Sequence, residues 1–319
     1  MKITSIDGWV LDTITAYDSA YPGFAGAYLR ASDERRQVIA AFLAVTQVDL
    51  EEWGEAAVFL ATADHQTILA LAFGRRVPGL RRALAKSGAK PHEAEYYRAL
   101  ADALMRSPAH VVTALKRAVK LGPKWLDIIT ALPVDLCDSR IICRIEGREQ
   151  ASDLVRVVEH MERAGIDRSK IVAALLESKA PLTTVIQRWS LRMPFGPGPI
   201  SMTAGYRPIR DGDELRSIAL RYQNCSRRYL IDVLAGDNAF GEFTHSDGRQ
   251  VLICFDRQDG EWCLDAAYAR RNRQVSDDLN CAVREFVQGH GVLAQRPSRE
   301  RDENISALRR FNRSVFAWW

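Results

Sequence analysis

Apolar residues recur at three- and four-residue spacing through most of the first 192 positions, the period of a helix face turned toward a core. Val38, Ile39, Phe42 and Leu43 share one such face behind Ser32, Asp33 and Glu34, a polar helix start with an N-cap hydroxyl. The spacing returns in Trp53, Ala56, Ala57 and Leu60, and again in 68–73 ahead of Gly74 as a stop. Pro91 opens a segment carrying Tyr96, Tyr97, Leu100 and Leu104. Pro108 opens another, with Val111, Val112, Leu115 and Val119 running to Gly122-Pro123. Leu154, Val155, Val158 and Met161 lead to Gly165, and 171–176 and 182–189 complete the series. No fixed repeat period joins these segments. Short helices with tight Gly/Pro breaks predict an all-helical bundle or irregular solenoid.

Pro194, Gly196, Pro197, Gly198 and Pro199 then fall within a few residues, and a helix cannot cross them. The chain is expected to comprise a helical domain over 1–192, a Pro/Gly-rich linker over 193–200 and a second domain over 201–319. In that second part Leu215, Ile218, Ala219 and Tyr222 mark a helix after Asp211, and Tyr229, Leu230, Val233 and Leu234 mark another stopped at Gly236. Strand patterning follows in 240–244, 250–255 and 261–267. Asp247-Gly248 and Asp259-Gly260 separate the runs, and Asp-Gly between apolar runs is a hairpin signal. The expected class is α+β, with a three-stranded antiparallel meander flanked by helices. Ser276, Asp277 and Asp278 start a further helix bearing Val283, Phe286 and Val287, and 298–319 reads as a last helix ending in Trp318-Trp319.

Composition narrows the picture. A hydrophobic share of 47% lets each part bury its own core without disulfides or a structural metal. No run approaches the roughly 20 apolar residues of a membrane span, and the start lacks the apolar stretch of a secretory signal. The expectation is a cytoplasmic protein with no membrane partner. Cys137, Cys143, Cys225, Cys254, Cys263 and Cys281 form no CxxC pair, so reduced thiols are expected, with no cofactor and no metal. A net charge of +4 permits nucleic-acid contact without demanding it. No lysine occurs after Ser201, which excludes lysine-based covalent chemistry there and leaves arginine to hold anions.

Three groups of residues carry candidate chemistry. Cys225 stands beside an expected helix start, next to Arg227 and Arg228, a setting that favours a thiolate nucleophile. Tyr229 or His245 would assist proton transfer. A buried, gap-filling thiol competes with this reading, and the residue type favours it. Arg270, Arg271, Asn272 and Arg273 form a second group, either a site for phosphate or an acidic ligand or a solvated turn paired with Asp265, Asp277 and Asp278. The third group is basic. It comprises Arg75, Arg76, Arg81, Arg82, Lys86 and Lys90, with Lys116, Lys120 and Lys124 spaced along one helix side. Such stripes track phosphate backbones, and more commonly are solvated helix faces. At the chain end Phe316, Trp318 and Trp319 either plug the domain or anchor a protein partner.

Asn224-Cys225, Tyr229, a short helix closed by Gly236, a strand meander and the turn holding Asn272 occur in the order that marks the PcfJ-like domain. Residues 205–292 resemble that family, with Ala269 where the family's turn has a glycine and without the glutamine that often precedes it. The resemblance implies a plasmid- or phage-related setting. The expected function is therefore a binding or accessory protein of a mobile-element system that contacts nucleic acid. The alternative is an enzyme centred on Cys225, with Arg270 or Arg271 holding an anionic substrate.

Overall fold

The structure is a computed structural model and describes residues 8–258, 260–292, 308 and 311. The chain divides into two compact units, Met1–Ser152 and Asp153–Trp319. The segment 193–200, expected as a linker, lies within the second unit. The expected tail helix over 298–319, with Phe316, Trp318 and Trp319, lies outside the described residues except for Leu308 and Phe311.

The first unit is helical throughout its described residues. Its helices are α1 (Gly8–Ala20), α2 (Phe24–Arg30), α3 (Asp33–Val45), α4 (Trp53–Thr62), α5 (His65–Ala72), α6 (Leu80–Leu84), α7 (Ala94–Arg106), α8 (Ala109–Arg117), α9 (Pro123–Ala131) and α10 (Ser139–Ile142). Helix α3 is central. Its residues from Gln37 to Phe42 are all buried, and it packs on α5, α6 and α7. Local chemistry sets its start, where Ser32 Oγ accepts from Arg35 N–H at 3.2 Å. Asp64 does the same for α5, accepting from the N–H groups of Gln66 and Thr67 at 2.8 and 3.2 Å.

One expected helix is cut short. The Pro108 segment ends at Arg117 because Ala118 turns extended, with φ −51° and ψ 137°. Val119 is consequently 95% exposed, and Pro123 begins α9 rather than closing α8. Lys116, Lys120 and Lys124 therefore lie on α8, in the connection and on α9, and do not form a stripe on one helix.

The second unit begins in α11 (Arg148–Arg163), which crosses the division, and continues through α12 (Arg168–Glu177) and α13 (Leu182–Ser190). A four-stranded antiparallel sheet follows, of β1 (Tyr206–Pro208), β2 (Asn238–Thr244), β3 (Gln250–Gln258) and β4 (Glu261–Tyr268), in the order β1-β2-β3-β4. The expected meander is present as β2–β4. The added strand β1 is three residues long and ends in proline, too short to show alternation and suited only to a sheet edge.

Helices cover both faces of this sheet. On one face Phe243 of β2 and Val251, Ile253 and Phe255 of β3 meet Leu279, Val283 and Val287 of α16 (Asp277–Gly289). On the other lie α14 (Gly212–Tyr222) and α15 (Leu230–Leu234), joined through a 3-10 turn at Ser226–Tyr229. Strand β3 is hence buried on both sides, with Val251 to Phe255 each at most 1% exposed. Helix α14 is seated by Asp211, whose carboxylate accepts from Glu214 N–H at 2.8 Å. Among the described residues no helix is long and apolar enough to cross a membrane.

Candidate functional site

In the second unit the backbone around Cys225 is set by polar side chains. Helix α14 ends at Gln223 in a left-handed conformation, φ 50°. Asn224 Oδ1 then accepts from Ser226 N–H at 3.1 Å and from Ser226 Oγ at 2.8 Å, closing a turn. Cys225 rides on that turn and is exposed, which corrects the expectation of a buried gap-filler. Arg227 and Arg228 follow in the 3-10 turn, also exposed. Tyr229 closes it, its ring 5.5 Å from that of Phe240 on β2.

Register brings further groups to the same face. Phe240 pairs with Cys254, and Cys254 with Ala266; a bulge between Cys254 and Phe255 leaves Asp265 as the extra residue of β4. Burial first, then the charge and hydrogen bond of Asp265, raise the Cys254 thiol, which stays protonated and serves as core. Burial, then Cys254, Asp265, Tyr229 and Cys225, push the Tyr268 phenol up to about 12. Tyr229 is raised likewise by burial and by Cys254, Asp265, Cys225 and Asp232. Cys225, Tyr229, Asp265 and Tyr268 thus form one neighbourhood in which both phenols are neutral hydrogen-bond donors near pH 7. Tyr268 and Asp265 carry no sequence signal, because a strand's pairing register and bulge place them there.

The turn after β4 adds strain. Arg271 and Asn272 both hold left-handed conformations, φ 63° and 53°, which non-glycine residues adopt at a cost of about 1 kcal/mol each. Arg271 Nε donates to Gln223 Oε1 at 2.7 Å, tying the arginine turn to the end of α14. Arg270 is exposed beside them, and Arg273 turns into a cleft next to β4. The expected ion pairs of this turn with Asp277 and Asp278 are not seen among the described residues. Asp278 is taken instead by Arg249, at 2.5 Å.

His245 does not join Cys225. It follows β2 at the far hairpin end, where its Nδ1 lies 2.9 Å from Asp247 Oδ2. It lies five positions beyond Phe240, roughly 15 Å of extended strand. Cys254 and Cys263 stand on neighbouring strands but are not cross-strand partners, since the register pairs Cys254 with Ala266 and Cys263 with Asp256. Among the described residues no group of three or more His, Cys, Asp or Glu side chains is arranged to hold a metal ion.

The first unit gathers the basic residues of the sequence differently from a stripe. A cleft of about 960 Å³ is lined by Arg76, Arg81, Arg82 and Lys116 together with Glu34, Leu69, Val77, Pro78 and Gly79. It is built by the first turn of α3, by α5, the α5–α6 connection and α6, and by the last turn of α8. Gly79, at φ 93°, lets the connection turn under the Lys116 stem, and a Cβ there would lie 3.0 Å from Lys116 Cε. Arg81 Nε donates to Glu34 Oε1 at 2.6 Å. Partial burial opposes the Glu34 charge, but Arg81 and His65 outweigh it and hold the carboxyl below its ordinary range. Arg76, Arg82 and Lys116 have no carboxylate partner among the described residues.

Comparison with known proteins returns no matching family model, no similar curated protein and no similar solved structure.

Proposed function

We propose that the protein binds nucleic acid through the basic cleft of its first unit. One observation carries this reading. Arg76, Arg82 and Lys116 come from segments up to 40 positions apart in sequence and line one cleft whose single carboxylate, Glu34, is already paired with Arg81. Arginine forks suit phosphate oxygens, and a lysine supplies a point charge. Arg81 is already engaged by Glu34 and acts as a fixed wall. The setting implied by the PcfJ-like resemblance agrees with an accessory protein that handles nucleic acid, and that resemblance is carried by Asn224, Cys225, Tyr229 and Asn272.

Salt dependence tests it. The full chain should bind short single- and double-stranded DNA and RNA in anisotropy titrations at 50–200 mM salt, with affinity falling as salt rises. Changing Arg76, Arg82 and Lys116 together to alanine should weaken binding about tenfold or more and reduce the log–log salt slope by about 2–3. The reading is lost if no nucleic acid binds, or if the triple variant keeps both affinity and slope.

A second reading, an enzyme centred on Cys225 and acting on an anionic substrate, is favoured by one observation. The thiol is exposed beside two neutral phenols and the strained arginine turn. Tyr229 and Tyr268 would donate to a developing negative charge, and Arg271 would hold the anion. Iodoacetamide labelling resolved by peptide mass spectrometry should then modify Cys225 about tenfold faster than the exposed Cys143 and Cys281. Equal rates at the three thiols would remove the enzyme.

A further inference from the structure

The second unit carries an opening that the nucleic-acid reading does not use and that shares Asp265 and Tyr268 with the Cys225 neighbourhood. Strand β4 is the last strand of the sheet, and among the described residues it pairs with β3 alone. Its outer edge therefore offers backbone N–H and C=O groups in strand spacing, a template for one more strand. Beside that edge runs a cleft of about 780 Å³. One wall is β4 itself, from Cys263 to Tyr268 without a break. The other wall is α16, which contributes Asn280, Arg284, Val287 and Gln288, positions separated by four, three and one that share a helix face. Leu264, Ala267, Val275 and Val292 supply apolar surface between the walls. An edge strand facing a helix across a groove is the geometry that receives an extended peptide by strand addition.

Charge selects the kind of peptide. Arg273 and Arg284 line the groove, and neither has an ion pair among the described residues. Asn272, Gln274, Asn280 and Gln288 add neutral hydrogen-bonding groups. Asp265 is the one carboxylate in the lining, so the two arginines leave the groove net positive. We infer that the β4–α16 groove binds an acidic, extended segment of a partner protein as a fifth strand. Main-chain hydrogen bonds to β4 hold it, and carboxylates pair with Arg273 and Arg284. This is independent of nucleic-acid binding by the first unit.

The probe is a capped, fluorescein-labelled peptide of alternating valine and glutamate, matched to the eight residues of β4 and titrated against the full chain by anisotropy. Two further peptides carry N-methyl groups on one or the other alternate set of amides. In a bound strand only one set points toward β4. Methylating that set should abolish binding, and methylating the other should leave it within about threefold. Changing Arg273 and Arg284 to alanine, both exposed and so tolerable to the fold, should weaken the parent peptide about tenfold or more. Failure of the parent peptide to bind overturns the inference. So do equal affinities of the two methylated peptides, which would mean attraction by charge alone, and an alanine variant that binds as well as the native chain.

Discussion

Replacing Gly241 with valine is expected to destabilise the sheet-bearing unit by about 3–5 kcal/mol, against a typical total of roughly 5–15 kcal/mol. Gly241 lies on β2 opposite Pro208 of β1, and the Tyr206 ring crosses directly over its backbone. A Cβ at this position would stand 2.1 Å from Tyr206 Oη, 2.2 Å from Cζ and 2.3 Å from Cε2. No real pair of atoms tolerates that approach, so the ring has to leave. Tyr206 is only 2% exposed, and its ring packs 6.3 Å from Phe255 and 5.6 Å from Phe286. Displacing it opens a void against α16 and unseats β1, so loss of aromatic burial adds to the overpacking. Urea unfolding followed by circular dichroism measures the effect. Gly196→Ala, at a site with nothing within 4 Å and no left-handed backbone, is the matched control and should be near neutral. A Gly241→Val midpoint equal to that of the native chain would show that the Tyr206 ring does not rest on β2.

The first unit should be equally sensitive at Gln37. Gln37→Leu keeps nearly the same volume, yet a loss of about 3–5 kcal/mol is expected. The side chain is fully buried. Its Nε2 donates to Gly88 O at 2.9 Å and to Lys90 O at 2.7 Å, and its Oε1 accepts from Tyr97 OH at 2.8 Å. Tyr97 OH accepts in turn from His92 N–H at 3.0 Å, and His92 Nε2 lies 2.9 Å from Ser87 O. One amide thus anchors the whole connection between α6 and α7. Leucine would leave two carbonyls short of a donor and a buried phenol short of its acceptor, each costing about 1–3 kcal/mol. Tyr97→Phe removes fewer bonds and should cost about 1–2 kcal/mol. Urea midpoints of the two variants give the comparison. If Gln37→Leu proves milder than Tyr97→Phe, the network contributes little and apolar packing alone holds the connection.

Burial also places His92 below the ordinary histidine range, opposed by its bond to Ser87 O. Its imidazole is neutral at pH 7, which suits a structural member of this network rather than a charged site residue.

Much of the architecture was legible along the chain because it rests on local interactions. The period of Val38, Ile39, Phe42 and Leu43 and the hydroxyl of Ser32 determine α3 within a few residues of each other. Asp211 does the same for α14, and Asp247-Gly248 turns β2 into β3 with Gly248 at φ 87°. A basic character at 75–90 and an arginine turn at 270–273 were likewise readable, since charge belongs to the residue itself. The left-handed backbone at Asn272 follows from a side chain that tolerates it.

Tertiary structure decided the rest, because it depends on which distant segments meet. β1 exists only because Tyr206 finds the bare backbone of Gly241. Asp265 and Tyr268 stand near Cys225 only because β4 bulges against β3, while His245 is carried to the opposite hairpin end by the same pairing. Arg76 and Lys116 line one cleft because α5, α6 and α8 fold together. The groove beside β4 exists because, among the described residues, strand order leaves that edge unpaired and sets α16 along it. Periodicity records which face of an element is buried. It does not record which partner buries it, and each of these sites is made at such a meeting.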